Sequence, residues 1–464
     1  MKEYMSESEK RNVMDNIENI SAEDLYFKYI KPGHIPFSKI KDTGRLEASK
    51  RRKIEDLIAQ DEAREEECWV ETLKQSTIEA YEKYILAYPT GKHIQLAEFG
   101  IETLKQKEAN ENKFKKDLLD KLKANLNGDF TPKIISEYLT QEKITKTDLI
   151  NLGVPLDVIE SLAFFKEPTL ELGEIPEFIP EGFTEVYFWG IPGSGKTCAL
   201  SGILSHADKS AAFGIGSGPG YHYMTHLKNI FNTNIGFLPA ATVTELTQCL
   251  PFELTDDHGK KHPIALIELS GEIFTCYYNE MANRKFTSDK HRKTFTTVTN
   301  FLNSKNRKIH FFVFDFGKNP KEKDDNGLCQ DDYLTAAQKY FKDNDIFKEL
   351  TDAIYVVVTK IDLLEKKGDV ALDPAQLYKV RLNKAKDYLN TNYPSFVNRL
   401  KDVCRDYRIN DNSDLSVLPF SLGEVYFNKI CRFNNTSSAE IVSILKNKTG
   451  ILRGKSKLWD FFKQ

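Results

Sequence analysis

At 464 residues the chain is long enough for several domains with a substantial core, and its 68 acidic side chains nearly balance 65 basic ones, leaving a net charge of -3. That balance gives no clear nucleic-acid signal, and the basic run Lys50–Lys53 lies close to acidic runs at Asp61–Glu62 and Glu65–Glu67, as on a solvated helix face. Seven cysteines without paired spacing argue against a disulfide framework or a cysteine zinc site, and with no leader-like apolar core and no transmembrane segment the chain is expected in the cytoplasm.

Residues 1–165 are expected to be all-α, because apolar residues recur at three-to-four spacing and strand-like alternation is missing. The region contains an internal repeat: Tyr29, Ile30, Ile35, Ile40 and Gly44 recur with the same spacing as Tyr138, Leu139, Ile144, Leu149 and Gly153. Each copy predicts a short apolar helix, a polar turn, a second short helix and a left-handed glycine stop. Between the copies, Ile78, Tyr81, Ile85 and Leu86 mark one amphipathic helix, and Leu96, Phe99, Gly100 and Leu104 mark the packing side of a second one over 93–105. The turn between them, Tyr88-Pro89-Thr90-Gly91-Lys92, resembles that of tetratricopeptide-like units, a resemblance covering about one repeat. It implies either a protein-binding surface or a helical pair that only packs. The expected segments are a first module over 1–60, the hairpin region over 61–127, a second module over 128–165 and a Pro/Gly connector over 166–182, where prolines forbid a continuous helix.

The last segment, 183–464, is expected to be an α/β domain. Its apolar run Val186–Trp189 leads into Gly190-Ile-Pro-Gly193-Ser194-Gly195-Lys196-Thr197, followed by the helical run Cys198–Leu204. This is a phosphate loop in its required strand-to-helix setting. Its glycines and the helix start turn backbone N–H groups, including those of Ser194 and Cys198, toward one anion. Lys196 is expected on the β and γ phosphates, and the Thr197 hydroxyl on Mg2+.

Farther along, Gly214–Gly220 reads as a mobile glycine-rich loop. Leu250–Thr255, the turn Asp256–Gly259 and Pro263–Leu269 read as an antiparallel hairpin, and the apolar runs 309–315, 353–359 and 415–420, separated by helical sequence, read as buried parallel strands. Arg284 and Arg292 are expected at the surface, and Gly317–Gly327 as an exposed polar loop.

At the end of the penultimate of these runs stands Thr359-Lys360-Ile361-Asp362. Here the chain resembles the P-loop GTPases of the translation-factor and Ras-like (TRAFAC) class, over about 185–448. The resemblance implies a mainly parallel sheet with one antiparallel edge strand, and GTP/GDP as the nucleotide. The chemistry agrees: a fixed carboxylate at Asp362 offers two acceptors to the N1–H and 2-amino donors of guanine, which adenine lacks. By the same resemblance Lys360 lies along the base, Thr359 ties this loop to the phosphate loop, and the backbone of Ser421 and Leu422 meets the guanine carbonyl. Gly271 meets the γ phosphate, Glu268 holds magnesium through water, and Glu272 stands where the family has the glutamine that orients attacking water. Thr242 is the first choice for the first-switch threonine that ligates the metal, with Thr244 second.

These readings converge on a GTP-binding protein with GTPase activity that signals its state to a protein partner through the helical N-terminal region, as in bacterial signalling or conflict systems. A second reading is a GTP-binding scaffold that assembles and hydrolyses little, because a carboxylate at Glu272 opposes the γ-phosphate charge. An ATPase is disfavoured by Asp362, and oligomer formation stays open.

Overall fold

The computed structural model describes residues 5–170, 175–210, 213–215, 220–240, 247–286, 288–323, 327–347, 350–364 and 372–449. Two compact units emerge, Met1–Leu118 and Leu119–Gln464.

Helices and the turns between them make up the described residues of the first unit. Helix α1 (Glu7–Asp15) starts on a Ser6–Glu9 capping box, α2 (Ala22–Asp24) runs into a π-turn over Leu25–Ile30, and α3 (Phe37–Asp42) precedes the long α4 (Ala48–Gln75). Val13, Ile17, Leu25, Ile35, Ile40 and Ile54 form one apolar cluster. Helices α5 (Ile78–Ala87) and α6 (Ile94–Ala124) follow. Tyr81, Tyr84 and Ala97 pack on Trp69 of α4, so three helices share this core where a two-helix hairpin is expected from the turn alone. The expected packing side holds in part: Tyr81, Ile85 and Leu104 belong to this core and Gly100 lies against the Tyr81 ring, whereas Leu86, Leu96 and Phe99 are exposed. The Tyr81 ring lies so close to Gly100 that a Cβ there would come within 2.8 Å of it, and Ala97, one turn earlier, is buried in the same core.

The second unit opens with α7 (Pro132–Thr140), α8 (Lys146–Asn151) and α9 (Leu156–Ser161). The two repeat copies share a turn and a glycine stop, although Tyr29 and Ile30 end a π-turn while Tyr138 and Leu139 lie in α7. Ile35 and Ile144 are buried and donate their N–H groups to the carbonyls of Tyr29 and Tyr138, and Gly44 (φ 69°) and Gly153 (φ 86°) end the second short helix of each copy. The copies nevertheless fall in different compact units, and the second belongs with the sheet although a connector over 166–182 marks the expected boundary. Polar contacts explain this: Asn127 Nδ2 donates to the Val425 carbonyl at 2.7 Å, Asn428 Nδ2 to that of Gly128 at 2.8 Å, and Asp157 pairs with Arg432. The connector's end is pinned as well, since Asn306 accepts from the Gly182 N–H and donates to the Pro180 carbonyl.

The sheet has seven strands in the order β2-β4-β5-β1-β6-β7-β8. In chain order these are β1 (Thr184–Trp189), β2 (Phe213–Ile215), β4 (Gln248–Thr255), β5 (Lys261–Glu268), β6 (Arg307–Asp315), β7 (Thr351–Thr359) and β8 (Ser416–Pro419). All neighbouring pairs from β5 to β8 are parallel, β4 runs antiparallel to β5, and β2 extends the edge beyond β4. This is the mainly parallel α/β fold expected, with its antiparallel hairpin in place. Gly214, read from sequence as part of a loop, sits inside β2, because Phe213–Ile215 pair with Phe252–Leu254. A small second sheet joins β3 (Ile235–Phe237) to the hairpin β9 (Gly423–Tyr426) and β10 (Ile430–Phe433).

Strand alternation splits the core in two. Val186 and Phe188 face α10 (Lys196–Lys209), α11 (Tyr221–Asn229) and α17 (Thr436–Lys448). Tyr187 and Trp189 face α12 (Ile273–Met281), α13 (Asp289–Leu302), α14 (Gln330–Asp343), α15 (Pro374–Asn392) and α16 (Pro394–Asp406). Arg284 and Arg292 are exposed, each over an aromatic ring.

In that second layer His310 is fully buried, its Nδ1 accepting from the Trp189 indole at 3.0 Å. Burial, with Lys308 nearby, pushes its pKa down to about 3. The unfolded chain therefore takes up this proton first as pH falls, so the stability is whole above pH 6.5 and drains between 6.5 and about 3. The expected loss is about 1.4 kcal/mol per pH unit, or ~2 kcal/mol between pH 6.5 and 5. Urea melts of the parent and of His310→Gln, which keeps an acceptor for Trp189, should diverge by that amount; parallel pH dependences would rule His310 out as the source.

Candidate functional site

The site forms at the C-terminal ends of β1, β5, β6 and β7, where parallel strands release their loops together. Residues 190–195 turn sharply between β1 and α10. Gly193 (φ 78°) and Gly195 (φ 84°) hold the left-handed conformation that side chains disfavour, and the Ser194 N–H donates to the Ile191 carbonyl. Gly195 is the N-cap of α10 and brings no side chain to the first-turn N–H groups. Those donors and the helix dipole suit an anion.

Lys196 is buried, and its Nζ donates to the carbonyls of Gly190 at 2.6 Å and Ile191 at 3.1 Å. Burial pushes its pKa down to about 8, partly countered by the Glu268 charge. Thr197 donates its hydroxyl to Glu268 Oε1, and the buried Tyr223 hydroxyl donates to Glu268 Oε2 at 2.5 Å. Burial raises the Glu268 carboxyl above its usual range, while the two hydroxyls and Lys196 pull it back. Cys198 is half-buried on the first turn of α10, and burial pushes its thiol up to about 11.

The loop after β5 lies against the phosphate loop. A Cβ on Gly271 would come within 2.4 Å of both the N and Cδ of Pro192, so this approach is open only to glycine. Glu272 follows at the N-cap of α12, half-buried, with its N–H on the Ser270 hydroxyl. Gly271→Ala must push the segments apart. If the loop meets a γ phosphate as the sequence predicts, this variant is expected to lose any GTP-over-GDP preference, with GDP affinity changed less than about threefold; competition titration of the two nucleotides checks it.

On the other side, the Thr359 hydroxyl lies 2.8 Å from the Ser194 carbonyl and 3.0 Å from that of Phe314, joining the ends of β7 and β6 to the phosphate loop. Lys360 has φ 56°, and its Nζ pairs with Asp315 Oδ2 at 2.6 Å. Asp362 Oδ1 accepts from the Ser421 hydroxyl at 2.7 Å, and burial raises its carboxyl above the usual range. The Ser421 N–H donates to Ser437 Oγ at 3.1 Å, so this residue meets Asp362 through its hydroxyl rather than presenting its amide as expected. Leu422 is part-buried and fixed through its carbonyl, which accepts from the Asn434 N–H. Thr242 and Thr244 lie outside the described residues.

The structure thus gathers Gly190–Cys198, Glu268–Glu272, Thr359–Asp362 and Ser421 around the ends of adjacent strands. Sequence reading missed Tyr223 and Asp315. Asp315 had a signal, a carboxylate that closes the run Ile309–Phe314, apolar but for His310, in register with Thr359. Tyr223, in a helix with no motif, had none.

No family model and no curated protein matches the chain. Solved structures similar to it include Roco2 RocCORdC of Methanosarcina barkeri bound to GDP (12% identity over 62% of this chain and 53% of that one, TM-score 0.24). The S. cerevisiae Ski7 GTPase-like domain bound to GTP is similar at 13% identity over 58% of this chain and 51% of that one, TM-score 0.26. The signal recognition particle receptor SRb-GTP/SRX complex of Chaetomium thermophilum is similar at 16% identity over 52% of this chain and 90% of that one, TM-score 0.23. The chain spans about half the length of the Roco2 and Ski7 structures. With TM-scores this low, function rests on the geometry of this chain.

Proposed function

We propose that the chain binds GTP and GDP at this site and works as a guanine-nucleotide switch with GTPase activity. One observation carries the reading: the Thr359 hydroxyl reaches the Ser194 carbonyl of the phosphate loop while Asp362, three residues on, is held by Ser421. Phosphate-binding and base-selecting elements are thereby tied into one site, with a part-buried carboxylate whose acceptors match guanine and repel the N1 acceptor of adenine. Lys196 supplies the positive charge for the phosphates, and the first turn of α10 supplies N–H donors. Thr197 and Glu268 offer adjacent hard oxygens, a donor set suited to Mg2+, which when bound neutralises phosphate charge.

The γ phosphate would be sensed by the loop at Gly271, whose contact with Pro192 leaves no slack. A route toward the helical segment also exists. Strand β3, which leads to the candidate first-switch region, pairs with β10, and the β9–β10 turn bonds to Asn127. Lys429 at that turn pairs with Glu167 and donates to the Pro239 carbonyl. This supports reporting nucleotide state to a protein partner through the helical region.

Isothermal titration with GTP, GDP and ATP in magnesium tests the proposal: GTP and GDP should bind at least ~100-fold tighter than ATP, and equal binding of ATP would refute it. A second reading, a scaffold that holds GTP with little turnover, is favoured by Glu272, an acid where a neutral amide would orient water. If so, phosphate release by the parent will not exceed that of Lys196→Ala, and Glu272→Gln will raise it.

A further inference from the structure

Glu268 ends β5 and is only 4% exposed. Its flexible side chain must be aimed by its surroundings, and a buried carboxylate needs its oxygens satisfied. Both are met by neutral hydroxyls: Oε1 by Thr197, Oε2 by Tyr223 at 2.5 Å. Tyr223 is fully buried and sits on α11, which packs against α10, the helix that carries Thr197. The start of α11 is fixed tightly. Gly220, its N-cap, has φ 81°, and a Cβ there would come within 2.7 Å of the Cys249 carbonyl on β4. Gln248, next to Cys249, is the register partner of Glu268. Tyr223 therefore enters the site from the same point of the sheet that carries Glu268, and its phenol takes one carboxylate oxygen away from the metal side.

We propose that Tyr223 is a positioning residue for magnesium: by holding Oε2 it fixes the Glu268 carboxylate with Oε1 turned toward Thr197, the pair that would face the ion. This rests on the reading of Thr197 and Glu268 as the metal side of a nucleotide site. In this role Tyr223 acts through the Glu268 carboxylate that its hydroxyl holds. Groups that orient metal-binding side chains typically matter ~10–100-fold in metal affinity.

The test is a magnesium titration of the full chain loaded with fluorescent GDP, each variant also being measured in EDTA. Tyr223→Phe keeps the ring and removes only the hydroxyl. It is expected to raise the magnesium midpoint at least ~10-fold, with GDP affinity in EDTA changed less than about threefold. Glu268→Asp withdraws the carboxylate from Tyr223 and should raise the midpoint too; in that background Tyr223→Phe should add nothing. A midpoint unmoved by Tyr223→Phe, an equal loss of GDP affinity in EDTA, or additive effects in the double variant each overturn the proposal. Should Tyr223→Phe fail to fold, Glu268→Asp decides alone, and an unchanged midpoint overturns it. A parent protein that binds GDP without responding to magnesium removes the metal reading of Thr197 and Glu268, and the role of Tyr223 with it. A parent that binds no GDP in either condition instead removes the nucleotide reading.

Discussion

Replacing Lys196 with alanine is expected to weaken GTP and GDP binding by at least ~100-fold, equivalent to about 3 kcal/mol or more. The ammonium is buried at the base of the phosphate loop, 2.6 Å from the Gly190 carbonyl, so any phosphate charge bound there meets it with little water between. Removing one partner of a desolvated charge pair leaves the other uncompensated, which typically costs ~3–5 kcal/mol. The fold should survive. Burial already pushes the Lys196 pKa down to about 8, meaning that the cation is held at a cost that alanine removes. Isothermal titration should therefore lose its binding signal while the melting temperature holds or rises. Nucleotide affinity within about threefold of the parent would show that Lys196 does not face phosphate.

Asp362→Ala is expected to abolish base discrimination. Guanine offers the carboxylate two donors, and inosine nucleotides lack the 2-amino group. A hydrogen bond to a charged group is worth about 1.5–3 kcal/mol, so the parent should prefer GTP to ITP by ~10–100-fold. In the variant GTP affinity should fall by ~100-fold or more, and GTP and ITP should bind alike. Competition of both nucleotides against one fluorescent probe measures the ratio directly. The Ser421 hydroxyl loses its acceptor in this variant, so Ser421→Ala is the control: it keeps the carboxylate and should keep most of the preference. A preserved GTP preference in Asp362→Ala would place the selector elsewhere.

Much of the α/β fold is legible in the chain because buried parallel strands must be short apolar runs between helices. Ile309–Asp315 and Ala353–Thr359 lie within the β6 and β7 that such runs predict. The helical hairpin was less readable. Leu96 and Phe99 are good helix-face residues by spacing, but they are exposed while Ala97 is buried beside Trp69 of α4, a partner that the hairpin sequence does not announce. Likewise the second repeat copy carries no sign that it joins the sheet-bearing unit, since that depends on Asn127 and Asn428 meeting across a hairpin turn 301 positions away.

By itself the sequence determined a glycine-rich loop of phosphate-binding pattern, its strand-to-helix setting, and a carboxylate at Asp362 of the kind proposed to read guanine. Each is written within a few consecutive residues, where glycine conformations and a helix start are local properties. Only the tertiary structure decided which atoms meet: that the tie expected of Thr359 runs from its hydroxyl to the Ser194 carbonyl, that Ser421 meets Asp362 through its hydroxyl, that Asp315 holds Lys360, and that Tyr223 holds Glu268. These pairs are 165, 59, 45 and 45 positions apart, so strand order and helix docking, not local pattern, bring them to hydrogen-bonding distance.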